Sequence, residues 1–224
     1  ASTLGTSAAI TSGGILTLRG ATGVDFDAHV TAESITVKAG ASTTYDQTIT
    51  TADTTSSILT TTVGDLTLHG TSITKAGAAT AIKVAVAGKL VVDADHTAAG
   101  NVIIESDSAL ALGDIDLDGT ADTATITTLG ALTTGGAITS DGNLVLKGNV
   151  VTVSHDITAK ALTIDSSTDG ANVGDAALVV GSAFTLATTA GDLTLKALSI
   201  GHALAGGNTD ANVTVAGGDL IIDS

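Results

Sequence analysis

The phrase Gly64-Asp65-Leu66-Thr67-Leu68 returns as Gly191-Asp192-Leu193-Thr194-Leu195. Looser copies stand at Gly88-Lys89-Leu90-Val91-Val92, Gly142-Asn143-Leu144-Val145-Leu146 and Gly218-Asp219-Leu220-Ile221-Ile222. Each copy joins a Gly-polar turn to an apolar, polar, apolar run, which on extended chain sends the Leu residues to one face and the Thr to the other. One turn-strand unit laid down many times is the mark of a stacked repeat architecture rather than of a domain built around a site. A longer match supports this: Gly14 to Gly20 aligns with Gly142 to Gly148 and carries on, with one residue of slippage, from Val30–Val37 to Ile157–Ile164. The anchoring glycines 14, 64, 88, 142, 191 and 218 are separated by 50, 24, 54, 49 and 27 residues. These intervals are near one or two multiples of about 25, as expected if some copies have drifted.

Composition narrows the architecture. The hydrophobic fraction of the 224 residues is 43% while aromatics are 1%, so the core is aliphatic and suits a thin interior of nearly constant cross-section. With 40 Thr and 37 Ala, and with Val and Ile abundant, extended chain is favoured over helix. The 27 Gly suit tight turns, and the absence of Pro leaves every backbone N–H free to join a ladder. Asp and Glu outnumber Lys and Arg 23 to 8, for a net charge of −15. Nucleic acid is thereby excluded as a partner and anionic membranes are disfavoured. Asp supplies 21 of the 23 acids, which reflects its use in turns as much as its charge. With no Cys, neither disulfides nor a Cys-based zinc site is possible. No run approaches 18 apolar residues, so no transmembrane helix is expected.

Short strands are predicted at Ile15–Leu18, Ile35–Val37, Ile82–Val86, Leu90–Val92, Val102–Ile104, Leu144–Leu146, Leu162–Ile164 and Leu178–Val180, with turns every ten residues or so. An array of β-sandwiches would share this rhythm, but it normally carries a Trp or Tyr anchor and non-repeating strands, whereas this chain has no Trp and one Tyr. The reading is an all-β chain, a parallel β-solenoid of roughly 20–25 residues per coil, forming one continuous repeat domain over residues 1–224. That length gives roughly nine to eleven coils and a rod about 45–50 Å long. Inward Leu, Val and Ile would form ladders along its axis. The two ends are expected to be open sheet edges that need a cap, a charge or another copy of the chain. No amphipathic capping helix is visible, and Gly218–Ser224 still reads as the repeat, as in an excerpt or a self-associating subunit.

Gly64 to Ser72, Gly191 to Ser199 and Gly135-Gly136-Ala137-Ile138-Thr139-Ser140-Asp141-Gly142-Asn143-Leu144 resemble the β-strand-repeat passengers of large bacterial surface proteins of the filamentous-haemagglutinin type. The resemblance spans nearly the whole chain and concerns architecture. It implies a secreted, right-handed parallel β-helix serving as fibre, stalk or adhesin shaft, and it offers no catalytic motif to carry over.

Few residues suggest chemistry. Asp114-Ile115-Asp116-Leu117-Asp118-Gly119 begins like a calcium loop, with Asp114, Asp116, Asp118 and Asp122 as candidate ligands for Ca2+, although the twelfth position is Thr125 rather than Glu. The competing reading is an acidic coil corner. Asp25, Asp27 and His29 alternate, as strand neighbours on one face would, and are read mainly as a solvated face; Asp93, Asp95 and His96 are read likewise. His69 and His202 follow repeat phrases at positions otherwise held by Lys or Arg and read as variable surface positions. With Phe26, Phe184 and Tyr45 the only aromatics and Arg19 the only Arg, a sugar-cleaving cleft is hard to build, and no catalytic site is expected. Thr48-Ile49-Thr50 and Thr125-Ile126-Thr127 invite an ice-binding reading, weakened because the phrase recurs at no fixed coil position in the sequence. The single sequon, Asn212-Val213-Thr214, is no more than chance supplies.

The expected function is mechanical: a secreted or cell-surface rod that self-assembles through its ends or lateral faces, or forms a segment of a filament, sheath or adhesin shaft. The alternative is an adhesin module whose loops touch a receptor or glycan, with Thr43 to Ser57, which carries Tyr45, as the candidate insertion.

Overall fold

The computed structural model describes residues 3–40, 47–51, 58–75, 81–95, 102–118, 123–167, 176–181, 184–202 and 212–223. The side chains of residues 72, 74, 75, 94, 95, 118 and 202 lie outside that description. The chain is a parallel β-solenoid: its strands form one sheet curled 322° around an axis, and every described strand pair is parallel.

The first coil is built from Leu4–Thr6, Ile10–Thr11 and Ile15–Gly20, and the second from Val24–Phe26, Val30–Ala32 and Ser34–Ala39. The third uses Thr48–Thr51, Leu59–Thr61 and Leu66–His69, and the fourth Ser72–Lys75, Ile82–Ala85 and Lys89–Asp95. Two longer strands, Val102–Ser106 and Leu110–Asp118, make the fifth. Farther on, Ile138–Gly148 bends round a corner, its first half stacking on Ile115–Leu117 and its second on Thr123–Thr127. Ile157–Ser166 repeats the device, and the stack closes with Leu193–Lys196, Ser199–His202, Asn212–Val215 and Leu220–Asp223.

Two columns of inward residues run the length of the stack. Leu4, Val24, Ile49, Ile73, Val102, Ala124, Leu144, Leu162, Leu193 and Leu220 follow one another in register, one per coil. So do Leu18, Val37, Leu68, Val92, Ile115, Ile138, Ile157, Leu186 and Val213. All nineteen are apolar, and those between the ends are buried. Leu4 to Leu220 spans 216 residues in nine rises, a mean of 24 per coil, and a stack about 43 Å high at about 4.8 Å per rise. The ten layers fall inside the expected nine to eleven, but single rises range from 18 residues (Leu144 to Leu162) to 31 (Leu162 to Leu193), wider than expected. The interior is uniform while the corners absorb insertions.

The aliphatic core tolerates Phe26 because its register partners, Thr6 in the coil below and Thr51 in the coil above, are small. A third inward column changes character along the axis: Ile10, Val30, Leu59 and Val84 give way to Ser106 and Thr128. Both hydroxyls are buried and bond corner backbone, Ser106 Oγ donating to the Ser108 carbonyl at 3.0 Å and Thr128 Oγ1 accepting from the Gly130 N–H at 3.1 Å. Buried polar groups are thereby satisfied where the chain turns.

The repeated phrase also has a structural meaning. Leu16, Ile35, Leu66 and Leu90 share one column, so the copies at Gly14, Gly64 and Gly88 enter the same face, and Ser34-Ile35-Thr36-Val37 is a drifted copy without glycine. The copies at Gly142, Gly191 and Gly218 enter a different face, in the column of Leu144, with Ala161-Leu162-Thr163-Ile164 as their drifted member. The 54-residue interval from Gly88 to Gly142 is therefore not two coils but two coils and a change of face.

Candidate functional site

The residues that could carry chemistry are largely occupied in joining one coil to the next. Asp65 Oδ1 accepts the Lys89 N–H at 2.7 Å, Asp114 Oδ1 the Ala137 N–H at 3.1 Å, Asp156 Oδ1 the Thr185 N–H at 2.7 Å and Asp192 Oδ1 the Asp219 N–H at 2.9 Å. In all four cases the Asp directly precedes a column residue, and the donor directly precedes the next residue of that column. The Asp of the repeated phrase is a pin across the coil boundary. A carboxylate accepting a backbone N–H makes a stronger bond than a neutral acceptor, which suits an exposed corner.

Outward charges are arranged by sign. Lys83, Glu105, Thr127, Lys147, Asp165, Lys196 and Asp223 form one register column. A parallel stack of identical units would set like charges about 4.8 Å apart, and alternation turns that repulsion into attraction. Lys83 Nζ lies 3.3 Å from both Glu105 and Asp107, and Lys147 Nζ lies 3.2 Å from Asp165 Oδ2. Burial draws the Lys83 ammonium down, but the hydrogen bonds and charges of Glu105 and Asp107 outweigh it, leaving its pKa above the ordinary 10.5. Asp165 is only 7% exposed, and its Oδ1 has no hydrogen-bond partner, so it depends on Lys147. Sequence reading missed this ladder because its members come from seven coils at irregular spacing.

Of the calcium candidates, Asp114 and Asp116 project from alternate positions of Leu110–Asp118 and are exposed. Asp116 Oδ1 accepts the Thr139 hydroxyl at 2.6 Å. Asp118 ends the strand, and Asp122 lies outside the described residues. The register adds partners that the linear motif did not contain, for Asp93 pairs with Asp116 and Asp95 with Asp118. Asp93 also meets His69, Oδ2 to Nδ1 at 2.9 Å, in an outward column that begins Arg19, Lys38, His69. Among the described residues and side chains, no group of three or more His, Asp or Glu is placed to hold a metal ion.

Three sequence expectations need correction or relocation. The strand Val24–Phe26 stops before Asp27, so Asp25, Asp27 and His29 do not line one strand; Asp25 accepts the Thr50 hydroxyl at 2.8 Å, and Asp27 and His29 stand in the following turn. His96 and Tyr45 lie outside the described residues. Thr43 to Ser57 is not one projecting insertion, since Thr48–Thr51 is a strand of the stack with Ile49 in the core. The Thr-x-Thr phrases occupy no fixed coil position: Ile49 stacks in the column of Ala124, so Thr48-Ile49-Thr50 and Thr125-Ile126-Thr127 are offset by two residues, and the column of Thr125 continues through Val145, Thr163, Thr194 and Ile221. That column mixes Thr with Val and Ile and lies beside the charge ladder, so it is no uniform hydroxyl array.

A shallow surface groove beside Val86, Ala87 and Gly88 is lined by small and aliphatic residues and Thr133, with no titratable group. Among the described residues no helix is long and apolar enough to cross a membrane. Comparison with protein-family models, with curated proteins and with solved structures found no match.

Proposed function

We propose that this chain is an extracellular structural protein, a β-solenoid rod that self-assembles into, or forms a segment of, a filament, sheath or adhesin shaft, without catalysis. The observation that carries the reading is the end-to-end continuity of the two apolar columns, with corner carboxylates and outward charges committed to coil-to-coil contacts. Such a stack distributes load over many parallel hydrogen bonds and can be lengthened without altering its cross-section. Secretion and the likeness to filamentous-haemagglutinin-type passengers belong to the same proposal.

Electron microscopy of the purified chain, with calcium and with chelator, tests it. Filaments with an axial repeat near about 4.8 Å are expected. Dispersed particles at every concentration would refute self-assembly. Calcium is part of the proposal because Asp93 and Asp116 are register partners across one coil boundary, where a cation would relieve like-charge repulsion. Loss of filaments in chelator supports that role, and indifference to chelator removes it.

A second reading, an adhesin module that touches a receptor or glycan, is favoured by the spread of 18 to 31 residues per rise, which places extra chain at particular corners. Replacing residues 203–211 with a four-residue Gly-Ser linker, the number of residues that joins Val180 to Thr185, on which His202 and Asn212 stack, should then abolish binding to cells and leave the stack intact by circular dichroism.

A further inference from the structure

We propose that two copies of this chain pair side by side and antiparallel through the outward face of Ile15–Gly20, Ser34–Ala39, Leu66–His69, Lys89–Asp95 and Leu110–Asp118, about a two-fold axis at the third coil. An isologous contact closes at two rods, so the inference goes beyond filament growth and stands or falls apart from it.

One outward column sets this face apart. Arg19, Lys38, His69, Asp93 and Asp116 follow one another in register, one per coil. The Lys83 to Asp223 ladder alternates its signs, whereas here Lys38 stands between Arg19 and His69, and Asp93 is followed by Asp116. Lys38 forms no ion pair among the described residues. Within one rod, like charges about 4.8 Å apart only repel. A second rod turned end for end answers them: its fifth coil meets the first and its fourth meets the second. Lys38 then lies opposite Asp93 of the second copy and Arg19 opposite its Asp116, and each pair occurs twice. A parallel pair centred on Thr17, Thr36 and Thr67 would instead set Lys38 opposite Ser34 and Asp116 opposite Ala111, leaving both charges unanswered.

Shape gives a second, independent match. Ile15, 77% exposed, precedes Leu16 as Ala111 precedes Leu112, and the two Leu share one column. The turn that brings Lys38 to Asp93 therefore brings Ile15 to Ala111 of the second copy. Ala111 is a wall of the apolar groove, about 240 Å³, that Val86, Gly88, Leu110 and Thr133 help to form. Between these two edges run Thr17, Thr36, Thr67 and Val91, short side chains that let two sheets approach. The axis sets Asp65 opposite its own counterpart, but its carboxylate is turned along the stack to the Lys89 N–H, and four attractive pairs outnumber that approach. Five coils of five-residue strands give a facing area of roughly 400 Å² on each rod, below that of a standard interface, so the pair is weak and forms at high chain concentration.

The test is sedimentation velocity on the soluble 224-residue chain in chelator, up to about 1 mM. Salt at about 0.15 M screens the general repulsion between two chains of net charge −15, so that the local pairs decide. Wild type is expected to show a concentration-dependent dimer. Lys38→Glu and Asp93→Lys, each first checked by circular dichroism, turn two attractive pairs into repulsive ones; each alone should raise the dimer Kd roughly tenfold to a hundredfold. In the monomer Lys38→Glu relieves the repulsion from Arg19, so lost pairing there is not lost folding. An equimolar mixture of the two variants restores opposite charges at both contacts and should associate as wild type does. Absence of rescue in the mixture, or a wild type that stays monomeric throughout, would overturn this inference; filaments in micrographs of the same samples would leave the filament reading standing. Paired rods without filaments would support this inference and count against the filament reading.

Discussion

Gly88→Ala tests the coil corner most sharply. Gly88 sits directly over Gly64, its N–H bonded to the Gly64 carbonyl at 3.0 Å, and the next N–H, of Lys89, reaches Asp65. A Cβ at Gly88 would stand 2.6 Å from the Gly64 carbonyl carbon and 2.7 Å from its oxygen, and would meet Asp65 Oδ1 as well. The obstruction is mostly backbone, so it yields only if the two corners move apart. Separation strains packing, at about 1–3 kcal/mol, and weakens a charge-assisted bond normally contributing about 1.5–3 kcal/mol. Because one movement causes both, we predict a net loss of about 2–4 kcal/mol. The assay is the urea midpoint followed by circular dichroism, with Gly13→Ala as control. A Cβ at Gly13 would meet no atom within 4 Å, and the Ala variant there should match or exceed wild type by up to about 1 kcal/mol. Asp65→Ala combined with Gly88→Ala should recover only part of the loss, since the Gly64 carbonyl remains. A Gly88→Ala midpoint equal to that of Gly13→Ala would refute the idea that close glycine stacking holds the corners together.

The charge ladder gives two more expectations. Lys147→Met removes the cation 3.2 Å from buried Asp165 and leaves its other register neighbour, Lys196, to balance that charge; it should cost about 1–3 kcal/mol in the same denaturation assay, while adding Asp165→Leu should restore most of it. Lys83 has its pKa raised in the folded state, so its contribution is fully present below 10.5 and fades as pH rises through the higher folded value. Stability should therefore fall more for wild type than for Lys83→Gln between about pH 9 and about pH 11.5, measured as the shift in urea midpoint.

What the sequence disclosed and what it hid follow from the range of each interaction. Alternation is local, so Ile15–Gly20, Lys89–Asp95, Val102–Ser106 and Ala177–Val180 were legible from single stretches. The stacking of ten layers was legible from the phrase itself. Register was not, because the partner of Leu162 lies 31 residues ahead in Leu193 and that of Leu144 only 18 ahead in Leu162. Without register neither the Lys83 to Asp223 ladder nor the pairing of Asp93 with Asp116 can be seen. Thr48–Thr51 was hidden for another reason: its polar flanks outweigh the one core residue, Ile49, that a four-residue strand needs when the coil below supplies its hydrogen bonds. The candidate calcium loop was read along one strand, whereas Asp93 and Asp116 become neighbours only through the register of two strands.

Register is also the claim on which everything else depends, and the cysteine-free chain allows a direct measurement. Thr163 and Thr194 face outward on strands adjoining in the stack and are register partners, despite 31 residues of separation. Their Cα atoms are placed about 5 Å apart, within the span that a disulfide bridges. The double variant Thr163→Cys/Thr194→Cys should close an intramolecular disulfide on mild oxidation, detected by mass spectrometry after proteolysis. Thr163→Cys/Lys196→Cys, displaced by two residues along the strand, should close far more slowly. Failure of the first pair to link, or equal linking of both, would contradict the solenoid register.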